Sequence, residues 1–314
     1  TVDLKVMIHK IHEGAGLPSV AEGTPYYIVG FRQSINNYSE VVWPQDTRNC
    51  TNCHTGEAAV DANNFLTAPS TAACSSCHDN VNPLLGENHA GGRREDGSCS
   101  NCHEPELEEE FDASIPGAHL LPINSSQILG VNLEILDVLN VSASSSPTIT
   151  FRVTDDAGAV IQPADMDYLA VTVAGPTTDY TTRVTETINR LPAEQPPNVV
   201  DLGDGAFAYQ MTFTLPADAT GSYAFGLEGY VMQELDDLDD PVRVAGFNPV
   251  HYAGLDGAEA TPRRAIVDLQ RCNACHDTLA LHGTIRQNTE YCVLCHNTTA
   301  TDIERRPDEA LPPI

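Results

Sequence analysis

The pattern Cys-x-x-Cys-His recurs five times in 314 residues, and no other feature constrains the chain as tightly. The pairs are Cys50/Cys53, Cys74/Cys77, Cys99/Cys102, Cys272/Cys275 and Cys292/Cys295, followed by His54, His78, His103, His276 and His296. All ten cysteines are used in this way. An even count would also suit disulfides in an exported chain. A redox dithiol or half a zinc site also uses Cys-x-x-Cys. Neither requires a His at the next position, and neither explains five repeats. Covalent haem attachment does. Two thiols add to the two vinyl groups on one edge of a porphyrin, and the adjacent His turns under the ring to bind iron from one face. The expectation is five haem c groups.

Iron in such a group has a sixth position, so the other histidines matter. Of eleven His, five follow a cysteine pair, leaving His9, His12, His89, His119, His251 and His282. His9 and His12 sit in an apolar-periodic stretch from Val2 to Gly14 that predicts a short helix stopped by the glycine. A spacing of three puts both imidazoles on one face, within reach of two adjacent haems. His282 lies between the last two motifs, and His89 and His119 lie in loops near the others. These five are the expected distal ligands. His251, at the end of a strand-like stretch far from any cysteine pair, is expected to be structural.

The chain reads as three segments. Residues 1–120 carry three motifs and little periodic structure, too little to bury a core without the haems. Residues 121–250 hold no Cys and no His. There Ile149, Phe151 and Val153 alternate with polar neighbours, as do Leu169, Val171 and Val173, then Phe207 to Leu215, then Tyr223, Phe225 and Leu227. Short strands at this spacing predict a β-sandwich or Greek-key domain of about seven strands. Residues 251–314 carry the last two motifs and a proline-rich tail from Pro307 to Pro313. The fold class expected is haem-cored, irregular, α-poor segments flanking an all-β domain, either a Greek-key sandwich or a split barrel.

The formal charge is −28, with 44 acidic residues against 16 basic. That excludes nucleic acid and anionic membrane surfaces as partners, since both need basic clusters. No run approaches the roughly 18 apolar residues of a membrane span. No leader opens the sequence, so an export signal is expected to be absent or already removed. Two acidic runs, Glu106 to Asp112 and Glu234 to Asp240, make calcium a candidate ligand, although neither has the spacing of a dedicated loop.

Three stretches resemble the outer-surface multihaem cytochromes of the OmcA/MtrC type: MIHKIHEG at 7–14, VVWPQDTRNCTNCH at 41–54, and CNACHDTLALHG with YCVLCHN between 272 and 297. The resemblance implies pentahaem modules alternating with Greek-key domains, haems with two His ligands, and an extracellular or outer-surface location. It implies redox partner cytochromes and acceptors such as metal oxides or flavins. It carries distal-ligand roles to His9, His12 and His282, and less directly to His89 and His119. The motif order is permuted relative to the family module. The chain opens at the Met-Ile-His segment with three motifs and closes with the two that would precede it, so the end at Ile314 would lead into Thr1. One repeat of a head-to-tail filament, or a piece joining adjoining modules of a longer chain, is the expected arrangement.

Two functions compete. One is an electron conduit with every iron six-coordinate. The other is a multihaem reductase of a small oxyanion or nitrogen compound, which needs an iron with an exchangeable position. Five spare His for five motifs favour the conduit, with no catalytic residue.

Overall fold

A computed structural model describes residues 2–190 and 196–300. The proline-rich tail and both chain ends lie outside the described residues. The chain divides into two compact units, Thr1–Ser125 and Ser126–Ile314.

The first unit is loop-rich. Helix α1 (Leu4–Glu13) starts where the Asp3 carboxylate accepts from Lys5 N–H, and it stops at Gly14. Gly14 has a positive φ, and any Cβ there would strike the Val41 carbonyl. A one-turn helix α2 (Pro18–Ala21) and a small hairpin of β1 (Tyr27–Val29) and β2 (Ile35–Asn37) follow. The remaining helices are single turns: α3 (Asn64–Thr67), α4 (Thr71–Cys74) and α5 (Ile115–Ala118). Leu17 is the one large apolar side chain fully buried among the described residues of this unit.

The second unit is built on an antiparallel sandwich. One sheet has four strands, in the order β3 (Asn132–Leu139), β4 (Thr148–Thr154), β8 (Ala206–Gln210), β7 (Val199–Gly203). The other centres on β5 (Tyr168–Gly175) and β9 (Ser222–Gln233), with β6 (Thr182–Arg190) outside β5. Two short strands, β10 (Val242–Ala245) and β11 (Val250–Gly254), share the free side of β9, pairing with its two halves. Phe151, Val153 and Phe207 of one sheet meet Leu169, Val171, Val173, Phe225 and Leu227 of the other in the core.

Strands β5 and β9 are buried on both faces, which alternation alone does not predict. Their large residues face the sandwich core, while Ala170, Thr172, Ala174, Ala224 and Gly226 face outward. The last motif packs on this small-residue face. Helix α6 (Leu269–His276) carries the fourth motif and helix α7 (Thr289–Cys295) the fifth. From α7, Tyr291 and Leu294, 1% and 0% exposed, pack on Ala174, Tyr180 and Ala224. The Tyr291 hydroxyl shares a 3.1 Å hydrogen bond with Thr172. The closing motifs therefore belong to the same compact unit as the strands.

Two expectations are corrected in detail. The alternating stretch from Phe207 to Leu215 is a strand only to Gln210. Beyond it the facing segment contains Pro147, which has no N–H to give, and the ladder thins to Met211 N–H to Pro147, Leu215 N–H to Ser145 and Ser144 N–H to Leu215. The sandwich also has nine strands rather than about seven.

A Cβ built on Gly226 would lie 2.5 Å from the Tyr291 ring. Gly226→Ala should therefore lift α7 and cost roughly 1–3 kcal/mol, the usual range for overpacking. A lowered denaturation midpoint with increased proteolysis after residue 268 would check it.

Candidate haem-ligand sites

Four of the motifs close a turn from the His N–H back to the first cysteine. The His54 N–H bonds the Cys50 carbonyl at 2.9 Å, and His78, His103 and His296 repeat the bond to Cys74, Cys99 and Cys292. All ten thiols are free, with no disulfide among the described residues. Burial pushes the Cys77 thiol up to about 11 and raises Cys50, Cys74 and Cys292 as well. Such thiols are mainly neutral near pH 7.

Thiol exposure varies from motif to motif. Cys53, Cys102 and Cys275, each the second cysteine of its motif, are exposed, and so is Cys74 as a whole residue. Cys272 and Cys295 are half-buried. The turn explains the difference for the second cysteines. Cys53 and Cys102 each lie one residue past a 3-10 segment, of three and six residues, with the backbone N–H turned back to the first cysteine's carbonyl. Cys275 lies on α6, a helix with no buried residue. The spacing that assigns them to attachment is unaffected by this exposure.

Four proximal His face a second imidazole. Ring centres are 6.1 Å apart for His54 and His9, 6.1 Å for His78 and His119, 6.3 Å for His103 and His89, and 6.0 Å for His296 and His282. A metal–imidazole bond is about 2 Å, so two imidazoles on opposite faces of one iron have ring centres about 6 Å apart. Directly hydrogen-bonded or stacked imidazoles would be closer. The residues thus fit a six-coordinate haem iron by donor type and by spacing. Sequence proximity would have paired them differently: His89 follows the second motif but faces the third, and His119 follows the third but faces the second.

The other ring nitrogen is held in three of these. Nδ1–H donates to a backbone carbonyl in His89 (Gly92, 2.6 Å), His103 (Ala113, 3.0 Å) and His119 (Ile115, 2.7 Å). This fixes the tautomer that leaves Nε2 for a metal. Burial lowers the pKa of His9, His78 and His282, which favours the neutral, ligating form.

Two sets of contacts hold the pairs. In the first unit Asp79, directly after His78, accepts from Lys10 of α1 at 2.5 Å and from the Ser19 hydroxyl at 2.6 Å. Burial pushes the Asp79 carboxyl up, but these bonds outweigh it and hold it below the usual range. In the second unit the strands cradle the loop carrying His282. Arg286 donates to the fully buried Glu228 carboxylate of β9 at 2.7 and 3.0 Å. Arg243 of β10 donates to the Gly283 carbonyl at 2.8 Å, and Asn248 donates to Ile285 and accepts from Gln287. Sequence reasoning missed Glu228, Arg243 and Asn248. The available signal was a carboxylate, Glu228, at an otherwise apolar strand position.

The remaining predicted residues are not brought into pairs. His12 lies edge-on to Trp43, ring centres 4.1 Å apart. His276 ends α6 and faces no imidazole among the described residues of its own unit. His251 sits in β11 opposite Phe225. The acidic runs gather no cation site: among the described residues no three His, Cys, Asp or Glu are grouped to hold an ion. Asp112 is instead spent on the backbone N–H groups of Glu108, Glu109 and Ser114. No described helix is long and apolar enough to cross a membrane.

Residues 1–114 match the family model of the outer membrane cytochrome MtrC/MtrF-like domains II/IV. The multiheme cytochrome MtrC of Shewanella baltica (strain OS185) is 32% identical over 106 residues, 32% of this chain and 16% of that protein. The first third of the chain is thus similar to outer membrane multihaem cytochromes of the MtrC type. The crystal structure of MtrC from Shewanella baltica OS185 matches with a TM-score of 0.62 at 18% identity, over 82% of this chain and 48% of that one. The outer membrane decaheme cytochrome OmcA matches with a TM-score of 0.59 at 21% identity, over 95% and 47%. The chain thus spans about half the length of the solved relatives it matches, and it shares with them the fold of an all-β domain and irregular flanking segments.

Glu228→Ala should leave Arg286 without its carboxylate. Removing one partner of a buried pair costs roughly 3–5 kcal/mol, and the lower end is expected because the Arg286 side chain is 23% exposed. The readout specific to the site is a partial high-spin signal from the fifth haem in folded protein, absent in the wild type.

Proposed function

We propose that the chain carries five covalently bound haem c groups with two imidazoles each and conducts electrons between redox partner cytochromes and extracellular acceptors such as metal oxides or flavins. The observation that carries this reading is the recurrence of opposed imidazoles 6.0–6.3 Å apart at four of five Cys-x-x-Cys-His motifs. When bound, haem c supplies a one-electron ferric/ferrous couple. The chain's own residues set that couple. Imidazole on both faces favours a lower potential than a His/Met pair. The −28 charge stabilises the more positive oxidised state and lowers it further. Similarity to outer membrane cytochromes supports a location outside the cell or on its outer surface, and the proposed organisation is haem segments 1–120 and 251–314 around a β domain 121–250, the last two sharing one compact unit. We also propose that units join head-to-tail, as copies in a filament or as adjoining modules, because each carries both halves of the permuted motif order. A heterologous contact of this kind propagates unless rotation closes it.

The second reading, reduction of a small oxyanion or nitrogen compound, has one specific support: His276 faces no imidazole within its unit, and such chemistry needs an exchangeable position.

Denaturing mass spectrometry should give the chain plus five haems. A mass of free thiols, disulfides or zinc would end the conduit reading. His282→Ala should open one haem, giving a high-spin band that binds carbon monoxide, whereas His251→Ala should leave the spectrum unchanged. Opening by His251→Ala would reverse the ligand assignment.

A further inference from the structure

We propose that Arg183 and Arg243 raise the potential of the fifth haem, at Cys292/Cys295/His296, above that of the second, so that the fifth is the earlier of the two to take an electron. The inference deepens the conduit reading above and rests on it.

The placement of two guanidinium groups leads to it. Arg183 of β6 lies opposite Ala174 of β5, so it shares the sheet face on which α7 is docked. Its Nη1 donates to the Cys295 thiol at 3.5 Å, the sulfur that joins the porphyrin edge when haem is attached. Arg243 of β10 stands on the distal side. It donates to the carbonyl of Gly283, the residue after His282, and its guanidinium lies 4.6 Å from the Tyr230 ring. The two cations therefore flank the His282–His296 pair, one at the attachment edge and one beside the distal loop. Neither meets a carboxylate among the described residues. Arg286 and Glu228 neutralise each other. That leaves Glu290, which accepts from the Tyr252 hydroxyl at 3.3 Å, as the acidic group carried by α7.

The second motif has acidic surroundings. The charge of Lys10 is cancelled by Asp79. Asp96 accepts from the Thr71 N–H at the start of α4, which ends in Cys74, and Lys5 also reaches Asp96. After burial, the Glu13 carboxylate of α1 is the largest influence raising the Cys77 thiol. Reduction removes one positive charge from the iron centre, so a nearby guanidinium favours the ferrous form and a nearby carboxylate the ferric. The −28 charge lowers every haem, and the two arginines offset it locally at the fifth. A largely solvated unit charge about 10 Å away changes the ferrous-to-ferric ratio about threefold.

Progressive reduction of the five-haem chain, followed by paramagnetic NMR, reads each haem separately. His282→Ala and His119→Ala assign the signals of the fifth and second haems, because each opens one of them. In the wild type the fifth haem should be reduced before the second. Arg183→Gln and Arg243→Gln should each lower the fifth haem by about threefold in that ratio, roughly 28 mV for one electron, and leave the second unmoved. Arg183→Lys should keep most of the wild-type value, because it keeps the charge. A low-spin spectrum in each variant shows the ligand pair intact, and if Arg243→Gln loosens the distal loop, Arg183→Gln decides. Reduction of the second haem before the fifth would overturn the proposal. So would a fifth-haem potential unchanged by Arg183→Gln, or changed equally by Arg183→Lys. A denatured mass with fewer than five haems would instead overturn the conduit reading beneath it.

Discussion

Opposed imidazoles 6.0–6.3 Å apart hold distant points of the backbone at a set separation, and most of this structure serves that requirement. The first unit buries one large apolar side chain, Leu17, among its described residues. Its single-turn helices and hydrogen-bonded turns cannot be ordered by apolar burial among themselves, since ordering each residue costs about 1–2 kcal/mol. What they do is deliver imidazoles. Asp79 joins the second motif to α1 and α2 through Lys10 and Ser19, and backbone carbonyls hold His89, His103 and His119 by their second nitrogen. Long-range order in this unit runs through ligands and their supports.

The second unit solves the same problem differently. A β-sandwich with its own core offers a rigid outer face, and the fifth motif is mounted on it. Small residues on β5 and β9 admit Tyr291 and Leu294, which fix the proximal side. Glu228, Arg243 and Asn248 reach the opposite loop and fix the distal side. The sandwich thus positions both imidazoles of the His282–His296 pair, and a strand carboxylate more than 50 residues from His282 in sequence becomes part of its support.

Much of the chemistry was legible in sequence because it depends on local spacing. The five Cys-x-x-Cys-His turns and the short helix bearing His9 and His12 need only a few consecutive residues to be recognised. Period-two alternation likewise revealed β4, β5 and the start of β9. The rest depends on distant partners. Strand β3 hides behind a bulge between Ile135 and Asp137, and edge strand β6 alternates without a run of large apolar residues. The crossed pairing of His89 and His119 contradicts sequence proximity, and only the folded path of the loops sets it. The small-residue face of β5 and β9 was visible as Ala-x-Thr-x-Ala and Ala-x-Gly, but its meaning needed α7.

The docking of α7 also bears on how such chains are assembled in evolution. Counting cysteine motifs suggests that a haem segment could be gained or exchanged at residue 250, where the strands give way to the motifs. Tyr291, Leu294 and Arg286 make that cut unfavourable, because it would strip cover from the sheet and strand a buried carboxylate. The boundary that severs few supports falls instead near Ser125 and Ser126. A sandwich and the two haem motifs after it would then be inherited as one block, and recombination among relatives should preserve that block while shuffling the three-motif segment before it.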